Sequence, residues 1–121
     1  MPNTPISVLV VEDEALVRMS IVDFLEDQGF EVFEAKDAAE ALLLLAGKPT
    51  ISVMFTDVDM PGGMDGLRLA AAVRDRWPPV KIIVTSGHRS VDQGDLPDEA
   101  IFFSKPYNPD AVAAVVRQMS A

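Results

Sequence analysis

Glu12-Asp13, Asp57, Ser86 and Lys105 each stand at the end of a short, mainly apolar run: Val8-Leu9-Val10-Val11, Val53-Met54-Phe55-Thr56, Ile82-Ile83-Val84-Thr85 and Ile101-Phe102-Phe103-Ser104. Carboxylates ligate hard cations or attack phosphorus, a hydroxyl donates a hydrogen bond, and an ammonium neutralises an anion. If the four runs are neighbouring strands of an open parallel sheet, these groups meet, because such sheets bind ligands beyond the carboxyl ends of their strands. The combination suits a Mg²⁺ ion and a phosphoryl group.

The intervening segments read as the helices that such a sheet needs. Val17, Ile21, Phe24 and Leu25 form one stripe of a helix that starts near Glu14 and ends at Gly29, which tolerates the left-handed conformation. A second strand over 31–35 follows. Asp37 with Glu40 predicts a capped helix whose apolar face is Ala38, Ala41, Leu42 and Leu45 and which stops at Gly47 and Pro49. After Asp57, Pro61 and the glycines 62, 63 and 66 force a loop, and a helix resumes at about Leu67 and runs toward Trp77. Asn108 and Pro109 open the last helix, with Val112, Val115, Val116 and Met119 on its apolar side. Between Ser86 and Ile101 the pattern is broken by Gly87, Gly94 and Pro97, so the fourth helix is expected to be short or distorted.

Strand and helix alternate throughout, which predicts an α/β fold: a five-stranded parallel sheet with helices on both faces. With 121 residues and 49% hydrophobic content, residues 1–121 fit a single domain with one real core. Lys plus Arg number 10 against 19 Asp plus Glu, a net charge of -9, and a field of that sign opposes binding to nucleic acid or to an anionic membrane. The chain has no cysteine, which excludes disulfides and thiolate metal sites. Neither a signal-peptide pattern at the N-terminus nor a run of membrane-span length is visible, so a soluble cytoplasmic location is the default expectation. Trp77, Met19 and Met54 read as core or near-core packing.

Taken in order, these motifs resemble the receiver domain of two-component response regulators, of which the single-domain chemotaxis type is the simplest. The resemblance rests on Glu12-Asp13 after the first strand, Asp57 after the third, Ser86 after the fourth and Lys105-Pro106 after the fifth. Met60-Pro61 and Met64-Asp65-Gly66 match the loop that follows the acceptor. It spans essentially the whole chain and implies a (βα)5, flavodoxin-like, doubly wound fold. Two departures stand out: the loop at Pro61-Gly62-Gly63-Met64 is one residue longer than the commonest form, and the stretch from Ser86 to Lys105 is shorter.

The resemblance implies a role for each residue. Asp57 is the phosphoacceptor, attacking the phosphohistidine of a sensor histidine kinase or phosphotransfer protein. Asp13 and Asp57 ligate Mg²⁺ directly, the backbone carbonyl of Asp59 is a further ligand, and Glu12 acts through water. Lys105 pairs with a phosphoryl oxygen. Ser86 is the switch hydroxyl that donates to the arriving phosphoryl group, with the adjacent Thr85 as the alternative, and Phe102 is the aromatic switch position, working by packing for want of a hydroxyl. Pro106 matches a position that follows a cis peptide in the family. The downstream protein target is not named by the sequence, and output is expected by protein contact, for which the family uses the surface of its fourth helix, fifth strand and fifth helix.

Simpler readings stand beside these. Glu12 and Asp13 also suit the positive end of the first helix as caps, and both roles can hold together. Three clustered carboxylates repel one another, so at least one should have a raised pKa without a cation. The Asp59 side chain either tunes access of water to an acyl phosphate or faces solvent. His88, the only histidine, reads as a loop residue near the site or in solvent rather than as an internal phosphodonor. Two other functions remain conceivable: Asp57-Val58-Asp59 has the Asp-x-Asp spacing of haloacid-dehalogenase phosphohydrolases, although the chain has no room for their cap, and a receiver-like module could act without phosphate. The expected receiver is not an enzyme beyond catalysing its own phosphorylation and dephosphorylation.

Overall fold

The computed structural model describes residues 5–60, 63–87 and 91–120. Five strands form one sheet: β1 (Ser7–Val11), β2 (Glu31–Ala35), β3 (Ile51–Asp57), β4 (Lys81–Ser86) and β5 (Ile101–Ser104). Their spatial order is β2-β1-β3-β4-β5, and every pairing is parallel. Four α-helices lie among the described residues: α1 (Ala15–Asp27), α2 (Ala38–Gly47), α3 (Gly66–Arg76) and α4 (Pro109–Met119).

The central strands are apolar on both sides because helices cover both faces. Val8, Val10, Val53, Phe55 and Ile83 pack on one face with Ile21, Val22 and Leu25 of α1 and Val112 and Val116 of α4. Leu9, Val11, Met54, Ile82 and Val84 pack on the other with Ala41 and Leu45 of α2 and Leu69 and Val73 of α3. Alternation along each strand thus divides one apolar run between two cores.

Local signals set the helix ends. Asp37 accepts from the Glu40 N–H at 2.9 Å, and Glu40 accepts from the Lys36 N–H at 2.9 Å. Asp65 caps α3 through the Arg68 N–H at 2.9 Å, and Asn108 caps α4 through the Asp110 N–H at 2.8 Å with Pro109 in the first turn. Gly29, at φ 93°, turns the chain out of α1 in the left-handed region. Met19 departs from expectation: it is 54% exposed, since α1 turns the stripe of Ile21 and Leu25 to the sheet and Met19 lies on the opposite side of the helix.

Where a short or distorted fourth helix was predicted, the regular structure among the described residues between β4 and β5 is a single 3₁₀ turn, Gln93–Asp95. Gly94 and Pro97 disfavour anything longer. Leu96 and Ala100 nevertheless bury into the core on the α2/α3 side. Arg74 of α3 ties this connection down, its two terminal nitrogens donating to the carbonyls of Pro78 and Asp98 at 2.8 Å each.

Candidate functional site

β1 lies between β2 and β3, so successive connections leave it in opposite directions, and a crevice opens where the chain order reverses. The register pairs Val11 with Thr56, which brings Glu12-Asp13 and Asp57 together at the lip of that crevice. Ligand oxygens of Glu12, Asp13 and Asp57 all lie within 4.8 Å of one another. On the other side of β3, Asp57 pairs with Thr85. The Lys105 N–H donates to the Ser86 carbonyl at 3.0 Å, so the end of β5 is tied to the end of β4.

Lys105 spans the carboxylates: its Nζ is 3.1 Å from Glu12 Oε1 and 3.3 Å from Asp57 Oδ2. Glu12 and Asp57 are 3% and 4% exposed, and burial is the main cause that holds both carboxyls above their ordinary pKa range. For Glu12 the negative charge of Asp57 adds to the rise, while the Glu14 N–H and Lys105 oppose it. For Asp57, Lys105 and the Asp59 N–H oppose. Burial pulls the Lys105 ammonium down, but Asp57 and Glu12 together outweigh it and the net direction is up. The two buried carboxylates thus share a single close ammonium among the described residues, and their acidic neighbourhood retains room for a cation.

Both oxygens of Glu12 are engaged, Oε1 by Lys105 and Oε2 by the Glu14 N–H at 3.1 Å, so Glu12 also serves the first turn of α1. Asp59 lies next to the acceptor position: its N–H faces Asp57 Oδ1 at 3.4 Å and its Oδ2 accepts from the Ser86 hydroxyl at 2.9 Å. Of the two adjacent hydroxyls, Ser86 therefore bonds into the β3–α3 loop. The Thr85 hydroxyl is buried and has no hydrogen-bond partner among the described residues. The two point to opposite faces, as alternation along β4 requires. Phe102 is partly buried against the core on the α2/α3 side, opposite Val84. The peptide before Pro106 is cis. Pro61, Gly62 and His88, which the sequence reading singled out, lie outside the described residues.

Two supporting residues, Arg18 and Tyr107, escaped the sequence reading, and a third, Gly66, was read only as part of the loop. Arg18 donates to the Glu12 carbonyl at 2.8 Å and pairs with Glu34 at 2.9 Å, bracing the acidic pair from α1. Tyr107 meets Phe55 edge to face, with ring centroids 5.5 Å apart, behind Lys105. Gly66 packs directly on the backbone of Asp57. Only Gly66 left a sequence signal, as the glycine closing Met64-Asp65-Gly66. Beside Lys105 an open groove of about 630 Å³ runs along α1, lined by Glu14, Leu16, Val17, Ser20 and Tyr107. Leu16 on its wall is 81% exposed.

A doubly wound parallel sheet with buried carboxylates, a bridging lysine and a strand-end hydroxyl gathered at the carboxyl ends of its strands is an acidic pocket suited to a cation and an anionic group. The family model for the response regulator receiver domain matches residues 8–117, and the chain belongs to that family. It is 32% identical over 120 residues to an NtrX-like response regulator of Rickettsia bellii, covering 93% of this chain and 24% of that protein. It is 36% identical over 119 residues to the sensor kinase CckA of Brucella abortus, covering 93% of this chain and 12% of that protein. A crystal structure of a response regulator receiver protein from Pseudomonas putida matches with a TM-score of 0.86 at 30% identity, over 97% of this chain and 99% of that one. The chain therefore spans about a quarter of the length of the NtrX-like relatives and nearly all of an isolated receiver. Family membership favours neither the Asp-x-Asp hydrolase nor a module that works without phosphate.

Proposed function

We propose that residues 1–121 act as one receiver whose Asp57 accepts a phosphoryl group from a phosphohistidine on a sensor kinase or phosphotransfer protein. The observation that carries this reading is the approach of the Glu12, Asp13 and Asp57 ligand oxygens within 4.8 Å of one another, with Lys105 Nζ 3.3 Å from Asp57. Asp57 forms the new O–P bond as the donor's P–N bond breaks and its electron pair returns to the imidazole nitrogen. Lys105 then pairs with a phosphoryl oxygen as a point charge. Ser86 donates to the same group, the neighbouring Thr85 hydroxyl lying on the other face of β4, and Phe102 passes the change on by repacking.

Mg²⁺ fits the site, because three carboxylates outnumber one ammonium and a small hard ion takes oxygen ligands. Asp13, Asp57 and the Asp59 carbonyl would hold it directly. Glu12, whose two oxygens are already bonded, would act through water. When bound, the ion neutralises charge on the transferring group.

The groove along α1 opens beside Lys105 and carries an exposed leucine, which supports docking of the phosphodonor there. No described helix is long and apolar enough to cross a membrane, and a cytoplasmic setting follows from the proposed kinase partner. Output then passes to a protein target, with no direct contact to nucleic acid or membrane.

Incubation with acetyl phosphate or phosphoramidate and Mg²⁺ should label the protein stoichiometrically, and Asp57→Asn should abolish the label. Turnover of p-nitrophenyl phosphate that depends on Asp59 would instead favour a hydrolase. Lys105→Ala should still take label but lose the conformational response.

A further inference from the structure

The Ser86 hydroxyl is already committed. Its single proton goes to Asp59 Oδ2 at 2.9 Å, and Ser86 is only 1% exposed, so water does not readily replace that acceptor. Asp59 is meanwhile tied to the acceptor position, its N–H facing Asp57 Oδ1 at 3.4 Å. Asp57, Asp59 and Ser86 thus form one chain of contacts across the end of the sheet. Thr85 offers no substitute there, since its hydroxyl lies on the opposite face of β4.

We infer that the Asp59 carboxylate is a latch that holds the Ser86 hydroxyl in the unphosphorylated arrangement, so that a phosphoryl group on Asp57 must compete with Asp59 for one proton. The inference rests on the reading of Asp57 as phosphoacceptor and Ser86 as the hydroxyl that meets the phosphoryl group. A hydrogen bond to a carboxylate is stronger than one between neutral groups, so the latch opposes the switched state. It is not a permanent lock. A phosphoryl group brings roughly -1.5 to -2 of charge beside the Asp59 carboxylate, and repulsion between the two favours release of Ser86 toward the better acceptor. Asp59 is therefore a positioning residue: it acts through Ser86, forms no bond to phosphorus, and sets how readily phosphorylation is converted into movement of the β4–β5 connection.

The test is a double-mutant cycle with beryllofluoride, a stable phosphoryl mimic, titrated calorimetrically at saturating Mg²⁺ into the wild type, Asp59→Asn, Ser86→Ala and the double variant. Asp59→Asn should tighten beryllofluoride binding by about fivefold to tenfold, the equivalent of losing the extra strength of a charged acceptor. In the Ser86→Ala background the same substitution should give a clearly smaller gain, because only the charge repulsion is relieved and no hydroxyl remains to be released. An equal gain in both backgrounds would mean that Asp59 acts through its charge alone, and would overturn the latch. Weaker binding by Asp59→Asn would overturn it too. Failure of the wild type to bind beryllofluoride would remove the phosphoacceptor reading itself, a result distinct from binding without coupling. A ligand-free measurement stands apart from the folding of Ser86→Ala: the Ser86 and Gly87 amide resonances of Asp59→Asn should move toward their beryllofluoride-bound positions, and unmoved resonances would overturn the latch.

Discussion

Gly66 sits so close to Asp57 that a Cβ atom on it would overlap the Asp57 carbonyl oxygen and stand 2.7 Å from the carbonyl carbon. The Gly66 N–H donates to the Val58 carbonyl at 2.9 Å, so the first turn of α3 is clamped onto the end of β3. The loop carrying Asp59 is closed by that clamp. Gly66→Ala should therefore destabilise the fold by about 2–3 kcal/mol, the usual cost of forcing atoms into a packed site. Urea unfolding would read the change as a lower midpoint at unchanged slope, and a midpoint equal to that of the wild type would mean that the contact is not needed.

Burial raises the Asp57 carboxyl above its ordinary pKa of 3.8, so the folded state holds this proton more tightly than the unfolded chain does. The stability contributed by this group is complete below 3.8 and is lost as pH rises through the raised folded value. Asp57→Asn removes the charge that burial disfavours. Without Mg²⁺ the variant should melt at a higher temperature than the wild type at pH 7, and the gap should narrow as pH falls toward 4. A gap that widens in acid would contradict the raised pKa.

Asp13 is the accessible member of the acidic trio, while Glu12 and Asp57 are buried. Mg²⁺ added at about a hundred times its dissociation constant should stabilise the wild type by roughly 2.7 kcal/mol, and chelation should reverse this. Asp13→Asn should weaken Mg²⁺ binding by about 10-fold or more by calorimetry, given the loss of one charged oxygen ligand. Equal Mg²⁺ affinity in the wild type and in a variant lacking both Asp13 and Asp57 would eliminate the proposed metal centre.

Arg74 is the strap between α3 and the β4–β5 connection, through the carbonyls of Pro78 and Asp98. Arg74→Ala leaves two carbonyls without their charged donor and should cost about 1.5–3 kcal/mol. Faster amide exchange should be concentrated at Leu96 and Ala100, the buried residues on either side of the strapped Asp98. Uniform acceleration across the sheet would point to a global effect instead.

The alternation of apolar runs with capped helices was legible because burial on two faces demands a continuous apolar strand and because Asp37, Asn108 and Pro109 act on their own neighbours. Periodicity, capping and turn chemistry are local, so the chain order of strands and helices could be read directly. The convergence of Glu12, Asp57, Ser86 and Lys105 was also foreseeable, since each ends a strand of one parallel sheet. Met19 was misjudged because a hydrophobic residue type does not reveal which side of its helix faces the sheet.

What residue types alone could not decide was who bonds to whom. Lys105 and Glu12 are 93 positions apart, and Ser86 and Asp59 are 27 apart. The choice between Thr85 and Ser86 as the hydroxyl facing Asp59 turned on the alternation of one strand against its partner, and the crowding of Gly66 on Asp57 turned on how α3 leaves the sheet. Local chemistry determined the elements and the kind of groups at their ends. Tertiary packing decided the pairs, because hydrogen bonds and ion pairs depend on distances of a few ångströms that only the assembled sheet establishes.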